Sequence, residues 1–104
     1  MKSSSFKDFV LDQLRLPGDL EYRSMFGGYG LYSGARFFGI VFNERLYFKT
    51  DEATRPVYEQ RGMKPFRPSL RQKLKSYYEV PADVIEVSLT LSEWAKQAIN
   101  LAND

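Results

Sequence analysis

The stretch RFFGIVFNERLYFKT, residues 36–50, constrains the fold more than any other part of the chain. Its first half, Arg36 to Asn43, is dense in aromatic and β-branched residues, as a buried strand requires. Its second half alternates, which predicts Leu46 and Phe48 inward and Tyr47 and Lys49 outward. Asn43–Glu44 between them is a tight hairpin turn. Two strands joined this closely form a β-hairpin, and the remaining elements have to be built around it.

Upstream, Phe6, Phe9, Val10 and Leu14 recur at helical spacing, which predicts a helix over residues 5–15. Ser5 with Asp8 resembles a capping box at its start, and Pro17–Gly18 stops it. Residues 20–26 alternate, with Leu20, Tyr22, Ser24 and Phe26 on one side, and a short strand covers residues 29–33. Downstream, Asp51 is a good N-cap for a helix reaching Arg61, with Gly62 as its stop and Pro56 placed to bend it. The segment KPFRPS is irregular, and LRQKLKSYYEV reads as strand or helix with a strand-like end at Tyr77–Tyr78. Pro81 suits the first position of a short helix over residues 82–87. Leu89, Leu91, Trp94, Ala95, Ala98, Ile99 and Ala102 then make a helical apolar stripe able to dock on a sheet.

A length of 104 residues fits a single domain over residues 1–104. At 15% aromatic content the chain has ample surface to bury. It contains no cysteine and no histidine, so disulfides and the usual zinc, copper, haem and iron–sulfur ligands are absent. No carboxylate loop of calcium-binding spacing is present, and no metal or cofactor is expected. The residues after Lys2 lack the apolar core of a signal peptide, and the longest apolar run, FFGIVF, is too short to span a bilayer. A cytoplasmic location without membrane contact is the expectation.

Met25 to Gly34, MFGGYGLYSG, holds four of the seven glycines. A dinucleotide-binding loop needs G-x-G-x-x-G between a strand and a helix, so that the helix N-terminus meets the pyrophosphate. Gly28 and Gly30 match two positions, Ser33 fails the third, and the segment runs on into a strand. The P-loop lysine is missing as well. Gly27, Gly28 and Gly34 are therefore read as turn residues, with Gly62 in the same structural role after the second helix.

At this point the residues resemble a known family. The segments YRSMFGGYGLYSGARFFGIVFNERLYFKTD, GMKPF, SYYEVPADVIE and WAKQAI, in this order, are similar to the N-terminal domain of the TfoX/Sxy proteins, bacterial regulators of natural competence. The resemblance runs from about Arg23 to Ile99. It implies an α+β fold of two layers, an antiparallel sheet with helices packed on one face, in the order α-β-β-β-β-α-β-α. Longer family members carry a second, C-terminal helical domain, which is expected to be missing here. The resemblance also implies a non-enzymatic regulatory module acting through a protein partner, a transcription factor such as the cyclic-AMP receptor protein.

Charge suggests where such a module makes contact. Residues 1–60 are electrically balanced, residues 61–78 carry six basic side chains and no acid, and residues 79–104 carry one basic and five acidic ones. Arg67, Arg71, Lys73 and Lys75 are candidates for charge steering, and Tyr29, Tyr32 and Tyr47 for anchors. The basic run, interleaved with Phe66, Tyr77 and Tyr78, also suits direct binding of nucleic acid. Its plainer role is a solvated loop paired with the acidic C-terminal helix. Two further alternatives are a small-molecule or catalytic pocket at the Gly27–Gly30 turn, and a homodimer formed through the sheet. No nucleophile–base pair of recognisable spacing supports catalysis.

Overall fold

The computed structural model describes residues 2–16, 18–25, 27–67 and 74–102. The elements are α1 (Lys2–Gln13), β1 (Leu20–Met25), β2 (Gly28–Ser33), β3 (Arg36–Phe42), β4 (Arg45–Lys49), α2 (Arg55–Glu59), β5 (Pro65–Phe66), β6 (Leu74–Glu79), α3 (Ala82–Ile85) and α4 (Ser88–Leu101). The strands form one sheet in the order β1-β2-β3-β4-β6-β5, with every neighbouring pair antiparallel. The first four strands are a meander. The chain then passes through α2 to the far edge, and β6 returns to fill the place between β5 and β4. This is the expected α+β architecture, with the two-residue β5 as an added edge strand.

The central hairpin forms as its sequence dictates. Asn43 and Glu44 both take positive φ, 53° and 61°, the signature of a type I′ turn whose twist matches that of the strands. Leu46 and Phe48 are fully buried toward the helices. Their cluster gathers Val10 of α1 and Leu14 just after it, Tyr58 of α2, Val84 and Ile85 of α3, and Leu91, Ala95 and Ala98 of α4. All four helices therefore cover the same face.

Tyr47 departs from expectation. It points away from that core but is only 8% exposed, because Ile40, Phe66 and Tyr77 surround it in a second cluster, with Phe37 and Phe42 packed on it. A bulge makes this possible. Leu31 pairs with Gly39 and Tyr32 with Phe37, so Phe38 is the extra residue and the register shifts there. Phe37 and Ile40, three positions apart, consequently share one face, while Phe38 and Val41 share the other.

Several local expectations are corrected. α1 begins at Lys2, so Ser5 lies inside the helix rather than capping it. α2 starts after Thr54, and Pro56 sits in its first turn, where no N–H is needed, so nothing is bent. Asp51 still terminates the preceding turn: its carboxylate accepts from Ala53 N at 3.0 Å and Thr54 N at 2.9 Å. At the other end Met63 N donates to Tyr58 O and Gly62 N to Glu59 O, the paired hydrogen bonds of a Schellman stop, with Gly62 at φ 78°. Leu89 is 77% exposed and does not belong to the buried stripe, which starts at Leu91. Gly28 is a strand residue, not a turn residue. The expected strand position of Phe26 lies outside the described residues.

Hydrogen bonds tie α1 to the C-terminal helices. Gln13 Nε2 donates to Ile85 O at 2.9 Å, Ser88 donates to Gln13 O, and Arg15 N donates to Ser92 Oγ at 2.8 Å.

Candidate functional site

Three cations of the basic run, Lys64, Arg67 and Lys75, border the β5 edge of the sheet. Lys64, Pro65 and Arg67 line an open hollow of about 320 Å³. Beside it, Arg55, Glu59, Pro65, Lys75 and Tyr78 line a second hollow of about 290 Å³. Pro65 is common to both, so four cations, Arg55, Lys64, Arg67 and Lys75, border one continuous edge. Lys64, Arg67 and Lys75 are exposed. Arg71 and Lys73 lie outside the described residues.

Arg55 comes from α2 and stands upstream of the basic run, so charge composition along the chain does not assign it to this edge. The crossover through α2 is what delivers it. Glu59, one turn along the same helix, is the carboxylate of the hollow. It accepts a hydrogen bond from Tyr78 Oη at 3.0 Å. Burial first, and this bond second, push the Tyr78 phenol pKa up.

Not every cation of the run is free to steer a partner. Arg61 is paired with Asp83 on α3, and the guanidinium holds that carboxyl below its usual range. Its partner is thus the short helix after β6 rather than α4. Across the sheet Arg45 contacts Glu79 at 3.3 Å, and Lys49 Nζ donates to Ser76 Oγ at 3.2 Å.

The three candidate tyrosine anchors are not one patch. Tyr29 packs on the helix-covered face, meeting Tyr22 edge-on at 5.6 Å between ring centroids, with the Lys7 ammonium 5.0 Å from its ring. Tyr32 is half-buried on the opposite face, stacked on Phe37 at 5.2 Å and carrying Arg23 over its ring at 4.6 Å. Tyr47 is buried on that same face, edge-on to Phe66 at 4.8 Å. Tyr29 and Tyr32 are three residues apart in one strand, and strand periodicity alone places such residues on opposite faces. Beside Tyr32, Tyr77 Oη donates to Phe37 O at 2.7 Å, and burial pushes the Tyr77 phenol pKa up to about 12.

Within the glycine-rich stretch the crowded positions are Gly28 and Gly30. Gly27 and Gly34 occupy turns at φ 80° and 62°. A Cβ on Gly28 would lie 2.1 Å from Val41 O, and one on Gly30 would lie 2.8 Å from Met25 Sδ and 3.1 Å from Phe37 Cε1. At these two positions the lack of a side chain is what lets the neighbouring strand and side chains approach so closely. Among the described residues no group of three or more Asp, Glu, His or Cys is placed to hold a metal ion. None of the helices among them is long and apolar enough to cross a membrane.

A comparison with curated proteins gave no match. A family model did match, that of the TfoX N-terminal domain, over residues 12–102, which takes in the chain from the end of α1 through α4. The β1–β4 meander, the cationic β5 edge and the closing α4 all fall within that span, and the chain belongs to the TfoX N-terminal domain family.

Proposed function

We propose that this domain is a non-enzymatic regulatory module that controls competence-type genes through a protein partner, a transcription factor of the cyclic-AMP receptor type. Its membership of the TfoX N-terminal family supports this. The single structural observation that carries the contact surface is the convergence of Arg55, Lys64, Arg67 and Lys75 on the β5 edge. Such a rim steers an acidic surface into place and sets the association rate more than the final affinity. Tyr32 flanks the opposite end of the same sheet and is not part of this rim. The absence of histidine and cysteine from the sequence removes the commonest nucleophile and base pairs, in keeping with a binding role.

The same rim supports a second role, direct contact with a nucleic-acid backbone. One titration separates the two. Labelled promoter DNA is followed by fluorescence anisotropy as the protein is added, with and without the receptor protein, at two salt concentrations. Binding that requires the receptor protein supports the co-regulator. Salt-sensitive binding to DNA alone supports direct contact, with a slope of log K against log salt near −0.9 for each phosphate neutralised. No signal in either arm overturns both. Arg67→Glu with Lys75→Glu is expected to lower the association rate in whichever arm gives the signal.

A further inference from the structure

The two edges of the sheet are unlike. β5 is two residues long, begins with a proline, and is flanked by Lys64 and Arg67, all devices that keep another strand from adding on. β1 is neither short nor interrupted by proline, and its two charged residues, Glu21 and Arg23, are of opposite sign. It spans six residues, Leu20–Met25, with no proline, no lysine and an unbroken register to β2. Four of its six residues, Glu21 to Ser24, are exposed.

The direction of its free hydrogen-bonding groups follows from the register. Gly34 N donates to Asp19 O at 3.2 Å, so this pair is hydrogen-bonded. Pairs alternate in an antiparallel ladder, so Glu21, Arg23 and Met25 bond to β2 while Leu20, Tyr22 and Ser24 turn their N–H and C=O groups outward. These groups form an open template along the edge.

Charge then selects the strand that fits. Glu21 and Arg23 lie two apart, on the face opposite Tyr22, and neither makes an ion pair within the chain among the described residues. We propose that the free edge of β1 pairs antiparallel with β1 of a second copy, about a twofold axis at Tyr22. In that register Leu20 meets Ser24 of the other copy, Tyr22 meets Tyr22, and Ser24 meets Leu20, all of them outward-facing, hydrogen-bonded pairs. Glu21 stands directly opposite Arg23 of the second copy, and this contact occurs twice. A shift of the axis to Arg23 puts two arginines face to face, and a shift to Glu21 puts two glutamates face to face while bringing Arg23 opposite Asp19. The Tyr22 rings, 47% exposed in the single chain, cover each other across the axis. The outcome is one continuous sheet through both copies, with both cationic β5 edges left at its far ends.

The test is sedimentation equilibrium from micromolar to millimolar protein. The unaltered chain is expected to form a reversible dimer. Glu21→Arg alone and Arg23→Glu alone are each expected to weaken it about tenfold, since two exposed ion pairs become two repulsions. An equimolar mixture of these two variants restores association, because both contacts are again opposite in sign. Ser24→Pro removes one outward N–H without touching the β2 ladder, and is expected to leave a monomer, with circular dichroism confirming that it is folded. A chain that stays monomeric throughout would overturn the proposal. So would a dimer indifferent to the charge changes, or a mixture no tighter than either variant alone.

Discussion

Replacing Gly28 by alanine asks whether the glycine-rich stretch is there for packing. The new Cβ would lie 2.1 Å from Val41 O and 3.2 Å from Phe42 Cα. An ordinary carbon–oxygen approach is about 3.3 Å or more, so the strands must part by roughly 1 Å. Val41 cannot yield, being fully buried and paired with both Tyr29 and Leu46. The start of β2 must therefore lift. Overpacking costs about 1–3 kcal/mol, and each ladder hydrogen bond lost adds about 1 kcal/mol. With one such bond lost the sum is about 2–4 kcal/mol, or a fall in Tm of about 8–16 °C for a domain of this size. The control is Gly34→Ala, where φ is 62° and nothing lies within 4 Å of the added carbon. There only the left-handed conformation is penalised, by about 1 kcal/mol. Thermal and urea unfolding of both variants give the comparison. A Gly28→Ala protein within about 1 kcal/mol of the unaltered one, or a Gly34→Ala protein equally damaged, would refute the steric account.

Other outcomes follow from features of single residues. Glu44→Gly should stabilise the domain by about 1 kcal/mol in urea unfolding, because glycine is at ease in the second position of a type I′ turn. Asp51→Ala removes the acceptor for Ala53 N and Thr54 N and should cost about 1 kcal/mol by the same assay. The carboxyl pKa values of Asp51 and Asp83 are lowered in the fold, by the Thr54 backbone bond and by Arg61 respectively. Their contribution is thus present above the ordinary carboxylate pKa of about 4 and is lost as pH falls through the lowered values, which a Tm profile below pH 4 should show. Burial raises the phenol pKa values of Tyr58 and Tyr77, that of Tyr77 to about 12. That stabilisation is intact below about pH 10 and declines as pH rises toward 12, and Tyr77→Phe should flatten the alkaline limb.

The parts of the fold legible in the sequence are those decided locally. Asn43–Glu44 fixes the central hairpin, Gly62 stops α2, and Pro81 introduces α3, each through the backbone preferences of a few neighbours. Alternation places Tyr47 on the face away from the helices, where it is, but says nothing of what covers it there. Phe66 and Tyr77, which cover it, come from strands more than fifteen residues further on. The bulge at Phe38 is equally silent, since glycine at position 39 suits both a bulge and an unbroken strand. Of the contact surface, the cationic run was visible as composition, whereas Arg55 joins it only through the crossover. The split between Tyr29 and Tyr32 was available from strand periodicity.

The bonds that link α1 to the far end of the chain also set a timetable. Arg15 N finds Ser92 Oγ across 77 residues of sequence. A ribosome adding about 5–20 residues per second takes on the order of 4–15 s to make that interval. Throughout it Val10 and Leu14, both buried in the finished domain, have no α4 to pack against. The first helix made is therefore among the last to be secured, and the emerging chain depends on α4 to conceal its N-terminal apolar stripe.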